Sequence, residues 1–94
     1  MALYLVSYDI AQKDAFEYDG LWAKLKKLNA VRILYSEWIV SADPNESATI
    51  YDDIAPNIQA KDRLLVQEIT NDATWDKLMI SDDLFRKWLM KARG

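Results

Sequence analysis

Three residues among the first forty are of types that can engage a phosphodiester. Asp9 closes an apolar stretch, Leu3 to Ile10 (LYLVSYDI), and leaves a carboxylate near its end. Arg32 and Ser36 lie four residues apart in a second stretch, Val31 to Val40 (VRILYSEWIV). On one extended strand such residues share a face, so both could reach one phosphate, with Arg32 making the charge-assisted contact. Each also has a plainer reading. An aspartate at a strand end often caps the following loop. Arg32 could pair with an acidic neighbour, and Ser36 could mark a bend. Ser36 is a poor nucleophile candidate, because the chain has no histidine to activate it.

The absence of histidine excludes imidazole catalysis, and the absence of cysteine excludes disulfides and thiolate metal sites. A cysteine-free chain suits a reducing cytoplasm, the expected location. The net charge of −3 counts against a dedicated nucleic-acid binder. The charges are segregated, however, and a local positive patch can hide in an acidic total. Lys24, Lys26 and Lys27, and separately Arg86, Lys87 and Lys91, could track a nucleic-acid backbone. Solvated helix faces are the commoner role of such clusters. The four tryptophans fall at apolar positions and read as core or interface rather than as base-stacking platforms. No apolar run approaches the roughly 18 residues of a membrane span. Met1 leads into the first strand with no basic segment, so neither a signal peptide nor a membrane association is expected.

The elements that must position these residues follow from periodicity. Residues 1–94 are enough for one domain, which buries only roughly 60–65 % of its unfolded surface and gains from a partner. In the first strand Leu3, Leu5, Ser7 and Asp9 point one way, and Tyr4, Val6, Tyr8 and Ile10 the other. Both faces are mostly apolar, the pattern of a central strand covered on both sides. After a polar connection from Ala11 to Glu17, the spacing of Tyr18, Leu21, Trp22, Leu25 and Leu28 predicts a helix over Glu17 to Leu28, with Asn29 as a left-handed stop. Val31 to Val40 reads as strand, with Ser36-Glu37 marking a bend or a tight turn between two short strands. Asp43 is placed to cap a helix with Pro44 at its first position and Glu46 completing a capping box. Pro56 stops that helix, and Arg63 to Thr70 is a further strand. Asn71 to Met79 reads as a single helical turn or a short edge strand around Trp75 and Leu78. Ser81 then caps a last helix, Ile80 and Phe85 form a hydrophobic staple, and Phe85, Trp88, Leu89 and Ala92 make its buried stripe. The fold class is α+β: a ferredoxin-like βαββαβ antiparallel sheet with helices on one face, plus a C-terminal helix. The second sheet face would then lie bare and apolar, which predicts a homodimer packed through sheet faces or edges.

Tyr8-Asp9-Ile10 closing a strand, the helix of Leu21 to Asn29, and Arg32-x-x-x-Ser36-x-Trp38 in the next strand form a layout. It resembles CRISPR-associated protein two and its VapD-like toxin relatives, over the chain up to about Val40. The resemblance implies a ferredoxin-like homodimer in which the strand-end aspartate of each subunit faces the twofold axis. Some members are metal-dependent endonucleases acting on RNA or DNA. By position Asp9 would be the catalytic metal ligand, with Arg32 and Ser36 near it to place phosphate. One carboxylate makes a poor Mg²⁺ site, whereas two meeting across an axis could bridge the ion and activate water. The chain departs from the pattern in two places. Asn29-Ala30 stands where the family usually has glycine, and the tail from Trp75 to Arg93 is helical where a strand completing the dimer is expected. Two functions are therefore expected from the sequence. One is a metal-dependent endonuclease; the other is a non-catalytic protein-interaction module of a toxin–antitoxin or defence system on the same fold.

Overall fold

The computed structural model describes residues 1–11 and 18–93. β1 (Ala2–Asp9) is an inner strand of a four-stranded antiparallel sheet, ordered β2-β3-β1-β4. The other strands are β2 (Val31–Leu34), β3 (Glu37–Ala42) and β4 (Arg63–Ile69). The helices are α1 (Asp19–Lys27), α2 (Ser47–Ile54) and α3 (Asp82–Leu89), with a 3₁₀ turn over Ala55–Asn57. This is the ferredoxin-like order with a C-terminal helix added. The polar connection after Ala11 and the helix start expected at Glu17 lie outside the described residues. Among those described, no helix is long and apolar enough to cross a membrane.

The alternation along β1 divides the core into two layers. Tyr4, Val6 and Tyr8, with Trp38 and Val40 of β3, pack on Leu21 and Leu25 of α1 and Ile50 and Ile54 of α2. Leu3 and Ile39 point to the opposite face, where Ile33 joins them under Phe85 and Leu89 of α3. The second face, expected from the sequence to be bare, thus carries α3. The stripe of Phe85, Trp88 and Leu89 needs an apolar surface, and the irregular segment before α3 is long enough to bring it across the sheet. That segment is neither helix nor strand. It is pinned by the Met79 N–H, which donates to the Ile33 carbonyl at 2.9 Å, and by Trp75, edge-on to Phe85 at 4.7 Å. Ser81 caps α3 as expected, its Oγ accepting from Leu84 N at 3.2 Å, and Ile80 and Phe85 share one cluster. After α3, Arg93 forks onto both Glu68 carboxylate oxygens and ties the chain back to β4.

Val31 to Val40 is two short strands joined by a tight turn, one of the two readings the sequence allowed, with the turn at Tyr35 and Ser36 rather than at Ser36-Glu37, and Ile33 forms a bulge between the Arg32–Trp38 and Leu34–Glu37 pairs. One further expectation changes. The helix after Asp43 starts at Ser47, not at Pro44. Asn45 has φ 64°, which no helix continues, and the Tyr4 hydroxyl holds the turn by donating to Asp43 O at 2.7 Å and accepting from Glu46 N at 2.9 Å. A buried phenol takes the Glu46 N–H that the capping box would have used. Asn29 (φ 62°) ends α1 as its sequence position suggested.

If α3 covers the second face within one chain, Phe85→Ala should destabilise the monomer by about 3–5 kcal/mol, the usual cost of emptying a buried phenylalanine site. Urea unfolding under monomeric conditions measures it. A loss under about 1 kcal/mol would mean that α3 does not pack there in solution.

Candidate functional site

Strand register decides which of the three candidate residues can meet. Asp9 lies opposite Arg63 and shares a face with Leu3, Leu5 and Ser7, the face that α3 covers farther along the sheet. Arg32 lies opposite Trp38 and points to the other face, toward α1. Ser36 sits in the turn beside the end of β1, its carbonyl accepting from Tyr8 N at 3.1 Å. Ser36 and Arg32 therefore do not share a strand face, because β2 ends at Leu34. Asp9 and Arg32 stand on opposite sides of the sheet.

Asp9 is open to solvent and paired with Arg63, Oδ2 to Nη1 at 3.3 Å, with side-chain exposures of 74 % and 84 %. A pair so exposed contributes little to stability, so it leaves the carboxylate displaceable. Ser7 Oγ donates to Glu37 Oε1 at 3.4 Å on the same face. Among the described residues no three carboxylates, histidines or cysteines gather where they could hold a metal ion. One carboxylate already facing a guanidinium does not fit Mg²⁺, which demands near-octahedral oxygen coordination. Among the described residues, no second carboxylate joins Asp9 in such a group.

Beyond Asp9, Asp62 binds both Ala11 and Tyr18. Its carboxylate accepts from Ala11 N at 2.8 Å, Gln59 N at 2.9 Å and the Tyr18 hydroxyl at 3.0 Å. Burial pushes the Asp62 pKa up, but these hydrogen bonds outweigh it and hold the group below its usual value. Nothing in residue type distinguishes Asp62 from the other aspartates. Only the fold brings Ala11 and Tyr18 to it.

Arg32 makes the more informative site. Its Nε donates to the Tyr35 carbonyl at 3.0 Å, and Nη2 donates to the same oxygen. The guanidinium lies 5.3 Å from the Trp22 ring centroid and 4.8 Å from that of Tyr35. Cation–π contacts of this length hold the group against the aromatic faces. Among the described residues no carboxylate pairs with it, so the acidic-neighbour reading does not hold there; Ser36 does mark a turn. Among the same residues Nη1 has no acceptor and can donate to a ligand. Trp22 is itself fixed, because its Nε1 donates to the Tyr8 hydroxyl at 3.1 Å, and Trp38 Nε1 donates to the same oxygen at 3.0 Å. One buried phenol oxygen thus sets the positions of two indoles.

Arg32, Trp22 and Trp38 border an open groove of about 420 Å³, together with Lys26, Ala30, Val31 and Met79. That is within the range of roughly 300–1,000 Å³ typical of small-ligand sites. Its lining holds two cations, two indoles and no carboxylate. Lys26 comes one helical turn after Trp22 on α1, which brings it to the same side. Sequence reasoning found Arg32 and grouped Lys26 with its neighbours, but missed Tyr8 and Tyr35. The available signal was a rule that buried indole N–H groups need acceptors, with Tyr8 on the right face of the central strand. No family model matches the chain.

Tyr8→Phe removes the oxygen shared by both indoles and should cost about 1–3 kcal/mol, the penalty for stranding buried donors. Urea unfolding reports the cost, and displacement of both indole N–H proton resonances reports the cause; unmoved resonances would refute the shared bond. The Asp62 contribution has a definite pH sign. Its folded pKa is depressed, so stabilisation is complete above the ordinary value of 3.8 and disappears as pH falls through the lower folded value. Asp62→Asn should therefore be less stable than the parent at neutral pH, and the gap in melting temperature should close below about pH 4. A gap that stays constant to lower pH would mean that the charge plays no part.

Proposed function

We propose that this protein is a nucleic-acid-binding module on a ferredoxin-like fold, with Arg32 as its phosphate contact and Lys26 beside it, and that one chain alone does not catalyse cleavage. The observation that carries the reading is the groove on the α1–β2 side. There a guanidinium, clamped by the Tyr35 carbonyl and two aromatic faces, keeps Nη1 available next to a lysine, with no carboxylate in the lining. A guanidinium held in place with Nη1 directed outward suits a phosphate dianion or phosphodiester better than a mobile lysine does. The net charge of −3 weakens long-range attraction but not a contact at this range. The likeness of Tyr8-Asp9-Ile10 and Arg32-x-x-x-Ser36-x-Trp38 to CRISPR-associated protein two points to the same ligand class.

A second reading, nuclease activity in a homodimer, has one observation in its favour. Asp9 is exposed at the sheet end, where a second copy could approach it. Its interface would lie at the β4 edge, beside half-exposed Leu65, since α3 occupies the sheet face used in a face-to-face pair.

Fluorescence anisotropy with labelled oligonucleotides, at several salt concentrations, tests the binding reading. Arg32→Ala should weaken binding by about 10-fold, in line with a hydrogen bond to a charged group. Exposed Lys26→Ala, which disturbs no core, should reduce the salt slope by about one unit. Unaltered affinity in both variants, or no salt-dependent binding by the parent, would refute the proposal. Incubation with Mg²⁺ or Mn²⁺ should leave the strands intact. Metal-dependent cleavage that vanishes in Asp9→Ala would instead establish the nuclease.

A further inference from the structure

Tyr35 occupies a position that folding alone does not explain. It is 80 % exposed at a two-residue hairpin turn, where glycine, asparagine, aspartate, proline and serine are the usual residues. An aromatic ring there gains almost no burial. Its backbone carbonyl already does the structural work by accepting from Arg32, and any residue would supply that carbonyl. What the side chain adds is a π-face beside the guanidinium, 4.8 Å from Arg32 Cζ to the ring centroid.

We infer that Tyr35 is a base-stacking platform, and that the ligand of the Arg32 groove is a single-stranded nucleic acid. The inference rests on the binding reading above and adds the part of the ligand that Tyr35 recognises. Trp22, Arg32 and Tyr35 bring together a ring, a cation and a second ring. One end is anchored by the hydrogen bond that Trp22 Nε1 donates to the Tyr8 hydroxyl, and the other, at Tyr35, is open to water. A nucleotide carries a planar base and an anionic phosphate on one sugar. The exposed ring can take the base while Arg32 Nη1 and Lys26 take the phosphate. Charge complementarity selects this occupant over an apolar peptide, since the groove has two cations and no carboxylate. A duplex keeps its base faces stacked inside, so a π-platform discriminates in favour of unpaired strands. The stacking is indifferent to base identity, because each base has a π-face.

The test compares the parent, Tyr35→Phe and Tyr35→Ala by fluorescence anisotropy. The probes are a short single-stranded DNA, its RNA counterpart, the corresponding DNA duplex and an abasic strand of equal length. Circular dichroism confirms that the variants fold, as an exposed turn residue should allow. Tyr35→Ala should weaken single-strand binding by about 10-fold, a typical loss for one stacked base, and Tyr35→Phe should stay within about twofold of the parent. The abasic strand should bind the parent about as weakly as the intact strand binds Tyr35→Ala. The stronger of the DNA and RNA arms identifies the natural sugar. If Tyr35→Ala binds single strands as the parent does while Arg32→Ala is impaired, the stacking inference falls and the phosphate contact survives. Equal affinity for duplex and single strand overturns it likewise. If no probe binds, both proposals fall.

Discussion

β1 is hydrogen bonded along both edges and covered on both faces by its own chain, and the remaining architecture follows from that constraint. Leu3 is 0 % exposed and Tyr4 is 1 % exposed, although they point to opposite sides. A strand so placed needs cover on two sides. α1 and α2 supply one side, as the ferredoxin-like order requires. In this chain α3 supplies the other, so a partner is not needed to hide that face.

Hydroxyl groups at the tips of buried tyrosines then organise the surface. The Tyr4 oxygen bridges Asp43 and Glu46 and sets where α2 can begin. The Tyr8 oxygen accepts two indole protons and sets the walls of the groove. Each phenol contributes its ring to the core and its oxygen to groups that would otherwise be stranded, and stranding them costs more than the net value of one hydrogen bond. Tyr8 therefore links the central strand to the site directly. Its backbone N–H donates to the Ser36 carbonyl in the hairpin turn, and its hydroxyl positions Trp22 against Arg32.

The site itself is a local exception to the acidic total. Lys24, Lys26 and Lys27 end α1, where cations complement the helix dipole, and that explains their clustering without a ligand. The groove requires a further argument only for Lys26, which lies beside Arg32 and two indoles. Asp9, by contrast, faces Arg63 on the other side of the sheet, and the two candidate chemistries of this chain are separated by the sheet itself.

Local periodicity determined much of the fold from sequence. Alternation of period two placed β1 and the two faces of the core. Helical spacing placed α1 and α3, and Ser81, Ile80, Phe85 and Asn29 marked helix ends, because these signals depend on neighbours a few residues away. Arg32 was legible as a candidate phosphate contact from its type. What only the tertiary structure decided depends on residues far apart in the chain. The start of α2 moved because Tyr4 competes for its first backbone groups. Strand register, with the bulge at Ile33 and the turn at Tyr35 and Ser36, sent Arg32 and Asp9 to opposite faces. The groove exists because α1, β2 and the segment at Met79 converge, and no local pattern encodes that convergence.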